Sequence, residues 1–546
     1  MKIIYSLVTY FVILFNGSAY IHSQVNQDWV ARYNGTGNRN DVAQSVAADN
    51  SGNVYVTGWS TNNLQYTEYT TIKYNSSGVQ QWLQKYHGSF ADSSDFAYAL
   101  AIDGAGNVYV TGKSFGLGTY YDFATVKYNS SGVQQWVARY NGPGNRNDAA
   151  TRICVDGLEN VYVTGYSFGA GSDNDYTTIK YNSSGAQQWV QRYDGPDNGA
   201  DAATSIGVDN SGNVYVTGGS SNINGSQYTT IKYNAAGFQQ WVQRYNNGYG
   251  GNDGATDLVI DGSGYVYVTG ASWNGYNRDI VTIKYSFSGV QQWASRYNGY
   301  VNFDDVPSSI AIDNSGNVYV AGWSTSIFSY ADFATIKYNS SGDSLWVRRY
   351  YENGYSNGAI TSMAVDNSGN VYVTGYCSGA NNLYNNYVTI KYSTSGVEQW
   401  LQMYNGPADS IDIPYSLAVD GSGNVYVTGQ STGIGTLSDF ATIKYSQSIG
   451  IKKISSAIPG EFNLSQNYPN PFNPNTTIEF AIPKSSDVKL VVYDISGREA
   501  DVLINEKLRA GSYKVDFYGS KLSSGVYFYK LTSEDFIQTK RMVLVK

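Results

Sequence analysis

Seven aspartates recur at one place in a repeated segment: Asp41, Asp95, Asp148, Asp201, Asp253, Asp305 and Asp412 each stand eight residues before an Asp that opens a glycine-containing turn. Gly358 takes that place in the remaining copy. Carboxylates gathered at a channel mouth could hold a cation through oxygen ligands. The alternative, which the repetition favours, is that each Asp satisfies nearby backbone N–H groups. A second set is aromatic: Trp59, Phe115, Tyr121, Tyr166, Phe168, Trp273, Tyr276, Trp323, Phe328 and Tyr384 lie in varied segments rich in Asn, Ser and Asp. Aromatic faces beside short polar groups suit sugar recognition, because an apolar sugar face stacks while its hydroxyls take hydrogen bonds. The alternative is that these loops drift freely once the strands fix the fold.

Other chemistries lack material. The chain has two histidines, His22 and His87, and two cysteines, Cys154 and Cys377. Ser-His-Asp catalysis, Cys-His catalysis and His-rich metal centres are therefore disfavoured, and no cofactor is expected. Glycosidase chemistry needs only two carboxylates. Asp173, Asp197, Asp304, Glu352 and Asp409 are acids outside the repeated pattern, but they form no motif. A non-catalytic binding or adhesion module for polysaccharide or another surface protein is the preferred reading. A secreted carboxylate-based polysaccharide-degrading enzyme is the alternative, and a purely structural surface protein is a third.

The elements that must position these residues follow from an internal repeat. Val-Tyr-Val-Thr-Gly, with Ala321 for Thr in one copy, begins at Val54, Val108, Val161, Val214, Val266, Val318, Val371 and Val425. A lysine before Tyr recurs with it, at Lys73, Lys127, Lys180, Lys232, Lys284, Lys337, Lys391 and Lys444. Each unit parses as four strands, in the fourth copy Ala202–Val208, Val214–Ser220, Tyr228–Tyr233 and Phe238–Tyr245, joined by Gly-bearing hairpin turns. Glu159 replaces the turn Gly in the third copy, where strain on the order of 1 kcal/mol is expected. Four-stranded units of this length predict an all-β, eight-bladed β-propeller. Its turns between first and second and between third and fourth strands share one face. The aromatic loops share the other.

The chain ends explain closure. The eighth repeat supplies no Gln-Gln-Trp strand, whereas Gln27-Asp28-Trp29-Val30-Ala31-Arg32-Tyr33 repeats that pattern ahead of the first copy. This N-terminal strand is expected to complete the last blade. If Tyr128 opposes Val133, then Asp122 opposes Arg139. The same register sets Glu68 against Lys85, Asp175 against Arg192, Asp279 against Arg296, Asp332 against Arg349 and, at closure, Asp439 against Arg32. A slip of one residue is the open alternative. The cysteines fall four blades apart and are expected to be free.

Asp209-Asn210-Ser211-Gly212-Asn213-Val214-Tyr215-Val216-Thr217-Gly218, with Lys232, resembles the bacterial β-propeller repeat family often labelled seven-bladed. The resemblance covers residues 24–448 and implies the fold and an extracytoplasmic setting, without catalytic residues. Residues 1–23 read as a signal peptide: Lys2, an apolar run from Ile3 to Phe15, then small and polar residues, with cleavage before Gln24 or, alternatively, after Ala19. No transmembrane segment is expected after its removal.

A linker is expected over residues 449–460, and strands over Thr477–Ile482, Val488–Tyr493, Tyr513–Phe517, Val526–Leu531 and Thr539–Val545 suggest a small Ig-like sandwich. Tyr468-Pro469-Asn470-Pro471-Phe472, Val492-Tyr493-Asp494-Ile495-Ser496-Gly497-Arg498, Ser524-Gly525-Val526-Tyr527-Phe528-Tyr529 and Lys540-Arg541-Met542-Val543-Leu544-Val545-Lys546 resemble a type A sorting domain of the type IX secretion system. That resemblance, over residues 461–546, implies the secretion machinery as partner and a secreted or cell-surface location. Of the formal charge of -8, the part from Pro459 onward carries +1 (11 Lys and Arg against 10 Asp and Glu) and Lys2 another +1, so the middle of the chain carries -10, which disfavours nucleic acid and anionic membranes as partners.

Overall fold

The computed structural model describes residues 25–88, 93–326, 330–351, 357–378, 384–447, 452–455, 457–519, 522–534 and 536–546. The expected signal peptide, Phe328 and Glu352 lie outside them. The described chain is all-β, apart from short 3-10 turns such as Pro196–Asn198. The repeats form eight four-stranded antiparallel sheets in a propeller-like arrangement, and the tail forms two more.

Within each repeat the strands pair in chain order, as in sheet 4: Asp201–Val208, Val214–Asn222, Gly225–Tyr233 and Gln239–Tyr245. The second strand is apolar on both faces because both are covered: Val54, Tyr55 and Val56 are 0–1 % exposed. Each core cluster draws on two successive sheets. Tyr55 and Tyr69 of sheet 1, for example, pack with Val108 and Val126 of sheet 2. The series extends from the last repeat to the first, where Tyr426 and Phe440 pack with Val46, Val54, Ile72 and Tyr74.

Val25–Tyr33 completes the last sheet by pairing antiparallel with Ser438–Gln447. The Arg32 guanidinium donates to Asp439 at 2.9 Å, as the sequence reading expects. The expected backbone register is off by two, however. Arg32 lies opposite Ala441, and Arg139 opposite Ala124. One residue of the difference arises at the hairpin turn, where Tyr128 pairs with Gln134 and not Val133, and a bulge between Lys127 and Tyr128 adds the second. Each ion pair is therefore diagonal on one face: Arg139–Asp122 at 2.8 Å, Arg296–Asp279 at 2.7 Å and Arg349–Asp332 at 3.0 Å.

The two cysteines form no disulfide, Cys154 lying in sheet 3 and Cys377 in sheet 7. Cys377 sits within the second strand of its sheet, Val371–Ser378.

The tail encloses one core between two sheets, with Ile478, Phe480 and Val515 on one side and Leu490, Val492 and Leu531 on the other. Its strands include the five expected ones and three that the sequence reading passed over: Lys452–Ser455, Asn463–Leu464 and Glu499–Leu508. Lys452–Ser455 falls in the expected linker but pairs with Gly511–Tyr518, so the linker assignment is corrected there. Glu499–Leu508 was hidden because bulges against Ser486–Tyr493 interrupt its alternation. The Pro-rich motif is pinned to the last strand. Phe472 N–H donates to Val543 O, and Val545 N–H to Phe472 O, both at 2.9 Å.

Candidate functional site

The uniform face of the repeats is built from contacts that recur in copy after copy. In the first turn Asp49 Oδ1 accepts Ser51 and Asn53 N–H at 2.9 Å. Its Oδ2 accepts Asn53 Nδ2 at 2.7 Å and the Tyr55 hydroxyl at 3.1 Å. Burial pushes this carboxyl up, but the four hydrogen bonds outweigh it and hold the group below its ordinary value. Glu159, where the turn departs from Gly, has φ +60° and pairs with Lys127 at 3.1 Å. Neighbouring sheets are stapled at the other turn. Trp136 Nε1 and Lys127 Nζ both donate to Ser183 O, at 3.1 and 3.4 Å. The Trp lies so close over Gly185 (φ +82°) that a Cβ there would meet it at 2.6 Å. At the junction of last and first repeats Trp29 and Lys444 make the same two bonds to Ser76 O, at 3.1 and 3.3 Å.

The opposite face begins with the repeated aspartates. Asp148 accepts Gly142 N–H at 2.6 Å and Phe168 N–H at 2.9 Å, tying the loop that enters a sheet to the loop that leaves its second strand. Asp95 does the same with Gly88 and Phe115, at 2.8 and 3.0 Å. All seven carboxylates are 0–3 % exposed. Burial raises the pKa of each, to about 6 for Asp41 and Asp305. Asp201 differs in company: oxygens of Asp175, Asp194 and Asp201 lie within 4.8 Å of one another.

Among the predicted aromatics, the structure gathers Trp59, Phe115 and Tyr121. Trp59, in sheet 1, meets Phe96 of sheet 2 edge-on at 5.5 Å. Phe96 meets Tyr121 at 6.2 Å, and Tyr121 meets Phe115 at 5.9 Å. Phe96 and Tyr98 belong to the first strand of sheet 2, Asp95–Ile102, and were missed by the sequence reading. Lys113 was missed too. Its ammonium lies 4.9 Å from the Phe96 ring centre, 5.9 Å from Tyr98 and 4.6 Å from Tyr121. A signal for it existed: Lys113 follows the Val-Tyr-Val-Thr-Gly motif, where the other copies carry Trp59, Tyr166, Gly219, Ala271, Trp323, Tyr376 and Gln430. In sheet 3 Tyr166 is half-buried and Phe168 lies under the Arg146 guanidinium at 4.7 Å.

The remaining predicted aromatics are dispersed. Trp273 lines a cavity of about 470 Å³ with Gly250, Gly251, Asn252 and Arg278. Tyr276, 83 % exposed, and Tyr249, 65 % exposed, lie on neighbouring loops. Arg278 is already neutralised, donating to Asp304 from Nη2 at 2.6 Å and from Nε at 3.0 Å. Trp323 is half-buried in sheet 6 and Tyr384 is exposed at the edge of sheet 7. The single-copy acids have local partners: Asp173 accepts Asn174 N–H at 2.9 Å, Asp197 accepts Ile223 N–H at 3.2 Å and Asp409 accepts Asn405 Nδ2 at 2.7 Å.

Comparison with known proteins finds two family models. One, a beta-propeller repeat, matches residues 28–65, 85–116, 292–329 and 399–435. The other, a secretion system C-terminal sorting domain, matches residues 466–546. An uncharacterized WD repeat-containing protein of Acanthamoeba polyphaga mimivirus is 23 % identical over 422 residues, covering 60 % of this chain but 27 % of that relative. A fungal alcohol oxidase of the AA5 family, in complex with copper, superposes with a TM-score of 0.39 at 10 % identity, covering 96 % of this chain and 100 % of its own. A protein of unknown function from Dyadobacter fermentans superposes with a TM-score of 0.36 at 12 % identity, covering 78 % and 99 %.

Proposed function

We propose that this chain, a β-propeller repeat protein carrying a type IX secretion C-terminal sorting domain, is a non-catalytic module that binds polysaccharide on its loop face. The sorting domain indicates export to the cell surface or the medium and engagement of the secretion machinery. In this reading residues 24–448 form a closed eight-bladed propeller, and residues 461–546 an Ig-like module recognised during export.

The observation that carries the reading is the aromatic cluster from Trp59 through Phe96 and Tyr121 to Phe115, which bridges two sheets on the loop-bearing side. Edge-to-face packing fixes these rings without consuming both faces of each, as a sugar-stacking surface requires. Catalysis fits less well. The described single-copy acids Asp173, Asp197, Asp304 and Asp409 each have a local hydrogen-bond partner. A glycosidase needs two acids about 5–9.5 Å apart with access to substrate.

Binding of the mature protein to a panel of neutral and acidic polysaccharides tests the proposal. Binding that weakens on Tyr121→Ala, with no product released, is the expected result. Silence across the panel would remove the polysaccharide reading, and depolymerisation of any member would replace it with an enzyme.

A further inference from the structure

The polysaccharide reading leaves open the charge of the ligand, and Lys113 bears on it. Its ammonium is half-buried among Phe96, Tyr98 and Tyr121, and desolvation lowers its pKa. It has neither a carboxylate partner nor a hydrogen-bond acceptor among the described residues, although an ammonium offers three donors. The lysine that recurs before Tyr in each repeat is by contrast supplied with acceptors, as Lys127 is by Glu159 and Ser183 O. Cation–π contacts with three rings offset only part of the cost of lost hydration.

Two further cations lie on the same loop-bearing face without a carboxylate partner among the described residues. These are Arg39, exposed in the loop entering sheet 1, and Arg146, exposed over Phe168 in the loop entering sheet 3. Arg278, in sheet 5, differs in having a carboxylate partner, Asp304 of the loop entering sheet 6. The acidic balance of the chain works against an anionic ligand at long range, but fields are screened within about 8 Å at physiological salt, so the cations at the contact decide whether an anionic group is held there.

We infer that the ligand received at sheets 1 to 3 is an acidic polysaccharide, whose carboxylate or sulfate groups take the unused donors of Lys113 while its sugar rings meet the surrounding aromatics. The inference rests on the polysaccharide reading. It explains why a motif position that is otherwise uncharged carries a cation at one copy: an anionic group supplies the acceptor that the fold withholds.

The test measures affinity of the mature protein for a polyuronate, a sulfated galactan and a neutral glucan across a salt series. Wild type should prefer one or both acidic polymers, with affinity falling as salt rises. Lys113→Met keeps the apolar stem against the rings and should cost about tenfold in that affinity, with an unchanged melting temperature. Arg146→Gln, on an exposed loop, provides the second variant if Lys113→Met misfolds, and should weaken the same binding. The polyuronate and sulfated arms show which anion is read. Equal affinity for neutral and acidic polymers, or wild-type affinity in the variants, would overturn the anionic assignment while leaving polysaccharide binding standing. Binding to none of the three would overturn both.

Discussion

The two faces of the repeat region arise from the same copies of one sequence and have opposite characters. On the turn face each opening Asp accepts the hydroxyl of the Tyr six residues on, from Asp49 with Tyr55 to Asp420 with Tyr426. On the loop face the repeated aspartates clamp the loops at their roots, and beyond the clamp the copies diverge into Lys113 among rings, Arg278 on Asp304 and the Asp175–Asp194–Asp201 group. A contact made in every copy builds the frame that all the repeats share. A residue present once, in a position the other copies fill differently, is where binding specificity can reside.

Several outcomes would break or sharpen that contrast. Removing Val25–Tyr33 should have the largest effect, because it strips the last sheet of its fourth strand and of Trp29, Val30 and Tyr33. A loss on the order of 5 kcal/mol is expected, read as a collapse of the cooperative unfolding transition. Trp29→Ala should then cost about 3 kcal/mol, the same as Trp189→Ala inside the array. Equal denaturant midpoints for the two would support equivalence of the first–last junction, and a much milder Trp29 variant would argue against it.

On the loop face, Asp148→Ala leaves the N–H groups of Gly142 and Phe168 without their acceptor and should cost about 2 kcal/mol. The exposed Tyr276→Ala should cost under about 0.5 kcal/mol. Thermal melts of the pair would show whether the face separates into structural roots and free tips.

The faces should also titrate in opposite senses. Asp41 and Asp305 are raised from 3.8 to about 6, chiefly by burial, so the folded chain holds their protons more tightly than the unfolded chain does. Their contribution to stability is full below 3.8 and is lost as pH rises through about 6. The turn carboxylates of Asp49, Asp103, Asp156 and Asp313 are held low by their hydrogen bonds, against burial. Their contribution is present above 3.8 and lost as pH falls through their folded values. The melting temperature should peak between these limits, and a plateau extending to neutral pH would contradict the raised pair.

Glu159→Gly is the smallest test. It relieves a left-handed backbone but removes the Lys127 ion pair, so calorimetry should find a change within about 1 kcal/mol.

Much of this architecture was legible because the repeat states each rule several times. The motif strands, the Gly-bearing turns and the role of Trp29 as a stand-in for a missing strand follow from pattern alone. The Arg32–Asp439 contact was also legible, since five other copies carry an opposite-charge pair at the same spacing. The candidate site was less so. Phe96, Tyr98 and Lys113 lie on strands, so attention to loop aromatics passed them over, and Trp273, Trp323 and Tyr384 turned out to be separated from the cluster.

The sequence by itself determined composition, repeat, strand order and the sorting tail, because each is written in the spacing of local residues. Only the tertiary structure decided the register, where the pairing at the hairpin turn and the bulge beside it together convert facing charges into diagonal ones. It alone also placed Trp59 of one sheet against Phe96 of the next and three rings around Lys113. The physical reason is reach: hairpins and turns are fixed by neighbours a few residues apart, whereas a ligand surface is assembled from strands in different sheets, whose side chains meet only after the sheets have packed.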